Sequence, residues 1–368
     1  MILHTHDPVG RLVRTERGEM LYFSGTSYLA LPTHIAFRQL LVEGMERYGN
    51  NFGGSRTANL RLSVYEEAEQ FWQEYAGAEK AILLSSGFMA GQLIAWWLRQ
   101  QVAEQPATVV AYAPNTHQAL WSGLERYSDE TFQDWLLGVV KHIAATPQRR
   151  FVLVCNALDS VKAELYDFSP LAKLPASAKV TLIADDSHGI GITGPSGKGI
   201  FPVLRQFSQL QIVVVASLAK ACGLAAGLIL TDAHCGKLLT CNPFFAGASP
   251  CMPACAYAMM RATNIWQQQR AKLLENIAFA AQKLAPLGIF NFTTDYPVFY
   301  TAEQGLYEFL LARGILISAF PYPKIDGPVV TRVVISAAHT KDDITLLAEQ
   351  VSAFVAQQQQ LGFSHYAN

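Results

Sequence analysis

The chain predicts an α/β fold built on a largely parallel sheet, and three observations predict it. Short apolar runs recur along the first two thirds of the sequence: "AILLS", "TVVAYA", "FVLVCNA", "KVTLIAD", "LQIVVVAS" and "AGLILTD". Amphipathic helical patterns lie between and around them. Beyond residue 250 the rhythm changes to long helical periods with fewer strands. Runs apolar at every position, rather than at every second one, are what strands covered on both faces require.

Each element follows in order. Ser63 and Glu66 make a capping-box spacing, and Ala68, Phe71, Trp72 and Tyr75 follow at helical intervals. Strands fall at 81–85, 108–113, 151–157, 179–185, 210–217 and 226–232. A long helix fits 262–286, with Leu273, Leu274, Ile277, Ala281 and Leu284 on one face. Thr340 caps a last helix carrying Ile344, Leu347, Val351 and Phe354. The pattern divides into an N-terminal segment at 1–40, a major α/β domain at 41–250 and an α+β C-terminal domain at 251–368.

Composition narrows the function. Only 15% of the 368 residues are charged and the net charge is −1, without charge blocks, so no basic footprint for nucleic acid exists. With 51% hydrophobic residues, 14 Tyr and 20 Phe, the chain has ample material for a packed core. The first twenty residues lack the apolar stretch of a signal peptide. Residues 81–98 approach spanning length, but "SSG" and a Gln interrupt them; residues 238–260 hold three prolines and read as irregular. The six cysteines are scattered. Cys251 and Cys255 form a C-x3-C, but no second pair completes a metal site, so reduced thiols and a cytoplasmic location are expected.

"GIGITG" at 189–194 matches a dinucleotide fingerprint and follows a strand. That reading needs a helix at once and an acid some twenty residues on. The glycines instead continue through "GPSGKG", and no Asp or Glu stands between Asp186 and Asp232. Nicotinamide chemistry is therefore rejected. The more telling residues flank this loop. Strand 179–185 ends in "ADDSHG", which puts Asp185 and His188 at the carboxyl end of a parallel strand, where open α/β sheets bind ligands. Lys220 follows the next strand, in "ASLAKACG". A carboxylate, an imidazole and a lysine converging on one sheet edge meet the needs of pyridoxal phosphate (PLP) chemistry, where the lysine forms a Schiff base and the acid keeps the ring nitrogen protonated.

From about residue 20 to about 355 the chain resembles the α-oxoamine synthases, PLP-dependent enzymes of aminotransferase fold type I. The resemblance runs through "FSGTSYLAL" (23–31), "YGNNFGGSR" (48–56), "LLSSGFMAG" (83–91), "NTHQALWSG" (115–123), "ADDSHGIGITGPSGKG", "ASLAKACG" and "TRVVISAAHTKDDI" (331–344), in the family's order. It implies condensation of an amino acid with an acyl-CoA and loss of CO2, with a PLP aminotransferase or lyase, or a silent PLP binder, as the competing readings. It implies Lys220 as Schiff-base lysine and base, its amine acidified by apolar neighbours, and Asp185 on the pyridinium nitrogen. His188 and Ser160 would sit near the ring oxygen and His117 on the ring face. Ser217 and the main chain of Gly87 and Phe88 would hold the phosphate, and Arg332 the substrate carboxylate. Thr26 stands where that family has a carboxylate-binding Asn. Leu60, Arg61 and Tyr65 replace a Gly, a small polar residue and a His, while Ala246 and Gly247 replace a Ser-Thr pair that reaches the neighbouring subunit's phosphate. The resemblance further implies a homodimer with the active site at its interface; no metal is expected, because no cysteine or histidine spacing completes a site.

Overall fold

The computed structural model describes residues 2–125, 128–322 and 326–365, with side chains to residue 360. The chain forms two compact units. The larger comprises Ala36–Asp159 and Leu165–Asn264; the smaller joins Met1–Ile35, Ser160–Glu164 and Ile265–Asn368.

In the larger unit the six apolar runs become one sheet. Across it lie strands Lys80–Leu84, Gly227–Thr231, Leu210–Ser217, Lys179–Asp185, Arg150–Asn156 and Val109–Tyr112. Gly227–Thr231 runs antiparallel to both neighbours, and the remaining pairings are parallel. The other five strands therefore share one direction and present their carboxyl ends along one edge. Ile82, Ile183, Val213, Val215 and Ile229 are buried in a cluster with Leu93, Ile94, Trp97 and Leu98 of helix Gly87–Glu104. Coverage of the sheet explains why those runs are apolar throughout. Residues 81–98 thus divide into a strand and a helix, and among the described residues no helix is long and apolar enough to cross a membrane.

Three local expectations need correction. Helix Ser63–Ala76 begins at Ser63 itself: Leu62 is its N-cap, no side chain caps it, and the Ser63–Glu66 spacing does not form a capping box. Residues 238–260 are less irregular than their prolines imply, because they contain helices Pro243–Gly247 and Pro253–Met259, each with proline in its first turn. The long C-terminal helix spans Thr263–Leu284, and its buried face is Trp266, Gln269, Leu273, Asn276, Ile277, Ala280 and Leu284, leaving Leu274 and Ala281 at the margin.

The smaller unit holds a five-stranded sheet ordered Leu12–Thr15, Gly18–Phe23, Ile315–Pro321, Val329–Val334 and Val298–Thr301. The N-terminal hairpin enters it by pairing Leu21 with Ile315 in parallel. Two polar residues inside the long helix fasten its surroundings. Gln269 donates to the Leu29 carbonyl at 3.0 Å, and Asn276 to the His339 and Ser336 carbonyls at 2.8 and 3.0 Å. Helix Lys341–His365 is capped reciprocally: Asp343 N–H donates to Thr340 Oγ1 at 3.2 Å, and Thr340 N–H to Asp343 Oδ2 at 2.8 Å. Ile344, Leu347, Val351 and Phe354 are buried, as their spacing requires.

Candidate active site

The carboxyl edge of the larger sheet collects the polar residues that end its strands. Asp185 closes Lys179–Asp185, Asn156 closes Arg150–Asn156 directly opposite it, and Ser217 closes Leu210–Ser217. Strands diverge here and their last polar groups need partners from loops. Asp185 Oδ1 accepts from Ser187 N–H at 2.9 Å, and Ser187 Oγ accepts from Ser217 N–H at 2.8 Å. One short loop thus fastens the ends of two strands.

His117 stands beside Asp185, with Nδ1 3.7 Å from Oδ2. That is too long for a hydrogen bond, and Nδ1 is already occupied, accepting from Ala119 N–H at 3.2 Å. Burial lowers the imidazole pKa; the Asp185 charge opposes the change and the Lys220 charge reinforces it. The ring is neutral, with its proton on Nε2. Its backbone is held by Asn156, whose Oδ1 accepts from His117 N–H at 3.0 Å while Nδ2 donates to the Asn115 carbonyl at 2.8 Å. Asn156 was not among the sequence candidates, although a polar residue ending an apolar run is the same signal that singled out Asp185.

Lys220 is half-buried on the loop after Ser217. Leu218 N–H donates to the Ala226 carbonyl and Leu224 N–H to the Leu218 carbonyl, both at 2.9 Å, and Gly223 N–H returns to the Lys220 carbonyl at 3.2 Å with φ at 67°. The lysine is therefore carried on a closed loop, within electrostatic reach of His117. His188 lies half-buried three residues past Asp185.

Helix Gly87–Glu104 points its N-terminus at Ser217. Ser86 Oγ accepts from Met89 N–H at 3.1 Å, which leaves the N–H groups of Gly87 and Phe88 outside the helical ladder. A Cβ at position 87 would stand 2.5 Å from Ser217 Cβ, so only glycine allows this approach. Free N–H groups, the positive helix end and a serine hydroxyl together form an anion cradle.

The glycine-rich loop after Asp185 has another purpose than dinucleotide binding. Asp186 is buried, its Oδ2 accepts from Ile200 N–H at 2.7 Å, and a Cβ at Gly189 or Gly199 would overlap its carboxyl oxygens. Burial, with the Asp185 charge adding to it, pushes the Asp186 carboxyl up to about 8. The loop wraps a protonated acid.

The remaining candidates belong to the smaller unit. Arg332, buried in strand Val329–Val334, lies opposite Ser318 and Tyr300 and donates from Nη1 to the Ser160 carbonyl at 2.7 Å. Ser160 therefore meets Arg332 through its main chain. Thr26 is half-buried in the bend after strand Gly18–Phe23. His339 is fixed as a neutral ring: Nδ1 accepts from Ser336 N–H, Nε2 donates to the Tyr22 carbonyl, both at 3.0 Å, and Phe23 stacks on it at 4.0 Å. Among the residues that replace family positions, Tyr65 is buried and donates to the Cys251 carbonyl at 2.8 Å, Arg61 lies near Glu66 at 3.6 Å, and Leu60 is exposed. The Ala246 carbonyl accepts from Ser55 Oγ at 2.9 Å. No cluster of potential metal ligands occurs among the described residues.

A mainly parallel sheet with a lysine, an acid and an anion cradle on its carboxyl edge defines the α/β transferase architecture of fold type I. The chain belongs to the aminotransferase class I and II family, whose model matches residues 50–351. It is 26% identical over 388 residues to the 8-amino-7-oxononanoate synthase of Cupriavidus taiwanensis, covering 97% of this chain and 94% of that one. It is 28% identical over 360 residues to the enzyme of that name from Vibrio cholerae, covering 93% and 89%. Among solved structures, a serine palmitoyltransferase from S. paucimobilis with bound PLP-myriocin superposes with a TM-score of 0.81 at 16% identity, covering 98% and 93%. The 8-amino-7-oxononanoate synthase from Francisella tularensis gives 0.70 at 20% identity, covering 92% and 99%. These structural likenesses show the fold.

Proposed function

We propose that the chain is a PLP-dependent acyl-CoA:amino acid C-acyltransferase of the α-oxoamine synthase type, similar to 8-amino-7-oxononanoate synthase and so a candidate step of biotin biosynthesis. The observation that carries this reading is the gathering of Lys220, Asp185 and a neutral His117 on one sheet edge whose neighbouring helix end is shaped for an anion. The curated relatives, alike over most of their length, supply the reaction type.

Bound there, pyridoxal phosphate supplies an aldehyde that takes up amines and a heterocycle that accepts an electron pair. The chain's own residues do the rest. Lys220 Nζ would hold the aldehyde and would be the base placed to take the proton from the Cα of the incoming amino acid. Asp185 would hold a proton on the ring nitrogen, and its bond from Ser187 N–H keeps the carboxylate oriented. His117, neutral and flat, would cover one ring face without adding charge, and His188, on the loop beyond Asp185, would serve the ring oxygen. Ser217 Oγ and the N–H groups of Gly87 and Phe88 receive the phosphate. Arg332 takes the substrate carboxylate, with Thr26 in support, and Ser160 orients the guanidinium. Overall an amino acid and an acyl thioester give an α-amino ketone, CO2 and free CoA.

The working form is a homodimer in the cytoplasm, its active sites at the interface. Exposed Val42 and Met45 on helix Ile35–Tyr48, with Leu60 beyond it, leave apolar surface for a second copy, and none of the six cysteines is in a disulfide. Free CoA released from an acyl-CoA and one amino acid, by the PLP-loaded protein, tests the reading. Turnover of 2-oxo acids without thioester consumption would make the chain an aminotransferase instead.

A further inference from the structure

The second turn of helix Gly87–Glu104 carries Gly91, a residue that weakens a helix interior relative to alanine. Close approach accounts for it. A Cβ at position 91 would stand 2.5 Å from the carbonyl oxygen of Ala119, 2.9 Å from its carbonyl carbon and 2.9 Å from its Cβ. The next residue completes the contact, because Gln92 Nε2 donates to that same Ala119 carbonyl at 3.1 Å. A carbonyl only accepts, so the amide nitrogen of Gln92 is the atom that faces it.

Ala119 is the buried middle residue of the short turn Gln118–Leu120, which His117 opens. Its N–H is the group that occupies His117 Nδ1. One residue thus takes the helix contact on its carbonyl and gives a hydrogen bond to the imidazole from its amide. Asp185, with Oδ2 3.7 Å from Nδ1, would by itself favour a proton on that nitrogen, while the Lys220 charge opposes any charge on the ring. The Ala119 donor decides the contest, because an N–H aimed at Nδ1 favours the neutral ring and excludes a proton there. The rest of the turn is held separately: Tyr112 OH donates to the Leu120 carbonyl at 2.9 Å, and Trp121 Nε1 to the Thr116 carbonyl at 3.0 Å.

We propose that Gln92 and Gly91 are positioning residues for His117: acting through Ala119, they keep its proton on Nε2 and leave Nδ1 closed. The inference rests on the reading of His117 as the residue that covers the cofactor ring, and it deepens that reading. A ring whose nitrogen Asp185 keeps protonated is served by a neutral face, whereas a cationic imidazole against it would add repulsion. The glycine supplies the space and the glutamine the bond.

Ring-nitrogen NMR spectra of the full-length protein, isotope-labelled in its histidines, test this directly, with the His117 signals assigned by their loss in His117→Gln. In the native protein Nε2 carries the proton, and Nδ1 stays bare as pH falls through the ordinary histidine value of about 6.5. In Gln92→Leu, which keeps the bulk of the side chain but donates nothing, His117 binds its second proton roughly threefold to tenfold more tightly. The acid limb of kcat/KM for CoA release moves to higher pH by the same factor. Gly91→Ala acts in the same direction through overlap with Ala119. Should Gly91→Ala fail to fold, Gln92→Leu decides alone, since Tyr112 and Trp121 still hold the turn. A native ring with its proton on Nδ1 overturns the proposal, as does an unchanged His117 spectrum in Gln92→Leu. The spectra need neither cofactor nor turnover. Failure of the pyridoxal phosphate reading, seen as absent visible absorption, is therefore distinct from failure of this one.

Discussion

The approach of helix Gly87–Glu104 to Ser217 makes one substitution especially informative. In Gly87→Ala the new Cβ would stand 2.5 Å from Ser217 Cβ, 2.7 Å from its Cα and 2.9 Å from its N, where ordinary contact begins at 3.4 Å. Two of those three atoms are backbone, so no rotamer change relieves the overlap. The helix end and the strand end must part by nearly an ångström. Overpacking of this kind costs about 1–3 kcal/mol of stability, and it pulls the phosphate cradle open. Losing one charge-assisted N–H contact of about 1.5–3 kcal/mol weakens pyridoxal phosphate roughly tenfold to a hundredfold. The assay is an absorbance titration of the apoprotein with pyridoxal phosphate, alongside a thermal melt. Gly138→Ala is the control, because that helical glycine has nothing within 4 Å of its Cβ position, and the change adds about 0.5–1 kcal/mol of stability. A folded Gly87→Ala protein that binds the cofactor as tightly as the native one would refute the cradle.

Three further outcomes follow from the same geometry. Asp185→Asn retains the cofactor but lowers turnover by about 10²–10⁴-fold, as loss of a proton-holding group does; steady-state CoA release reads it. Asn156→Ala releases the His117 backbone and the Asn115 carbonyl, costing about 1–2 kcal/mol in a denaturant melt, and Asn156→Asp adds a charge opposite Asp185 and is worse. His339 carries an acid limb of stability. Burial lowers its pKa to about 4 from an unfolded value near 6.5, so the unfolded chain takes the proton first as pH falls. About 3 kcal/mol is lost between pH 6.5 and 4, and His339→Asn flattens that slope in melts across the range.

The strands were legible because consecutive residues along them are buried, on both faces of the sheet, which leaves few polar positions to blur the runs. The direction of Gly227–Thr231 was not evident from its composition, since an apolar run has no polarity. Its connection did carry the signal: the loop from Ser217 to Gly227 is too short for a parallel crossover. Ser63 shows the opposite failure, where a correct spacing sits one residue too far along the helix to cap it. Asp185 stood out as a charged residue closing an apolar strand run, and Lys220 as an amine set three residues past the end of the next one. Asn156 carried the same strand-end signal without a charge to draw attention to it, whereas Asp186 acts only through groups brought to it by folding, and the glycines that make room for it read as plain loop. The union of the N-terminal hairpin with the C-terminal strands was equally hidden, because pairing of Leu21 with Ile315 is a contact across almost the whole chain.

Everything chemical in this account depends on a bond to Lys220. Borohydride reduction of the pyridoxal phosphate-treated protein, followed by digestion and mass spectrometry, places a phosphopyridoxyl group on the peptide that contains Lys220 and leaves it absent from Lys220→Ala. A label spread over surface lysines, or undiminished in that variant, would contradict it.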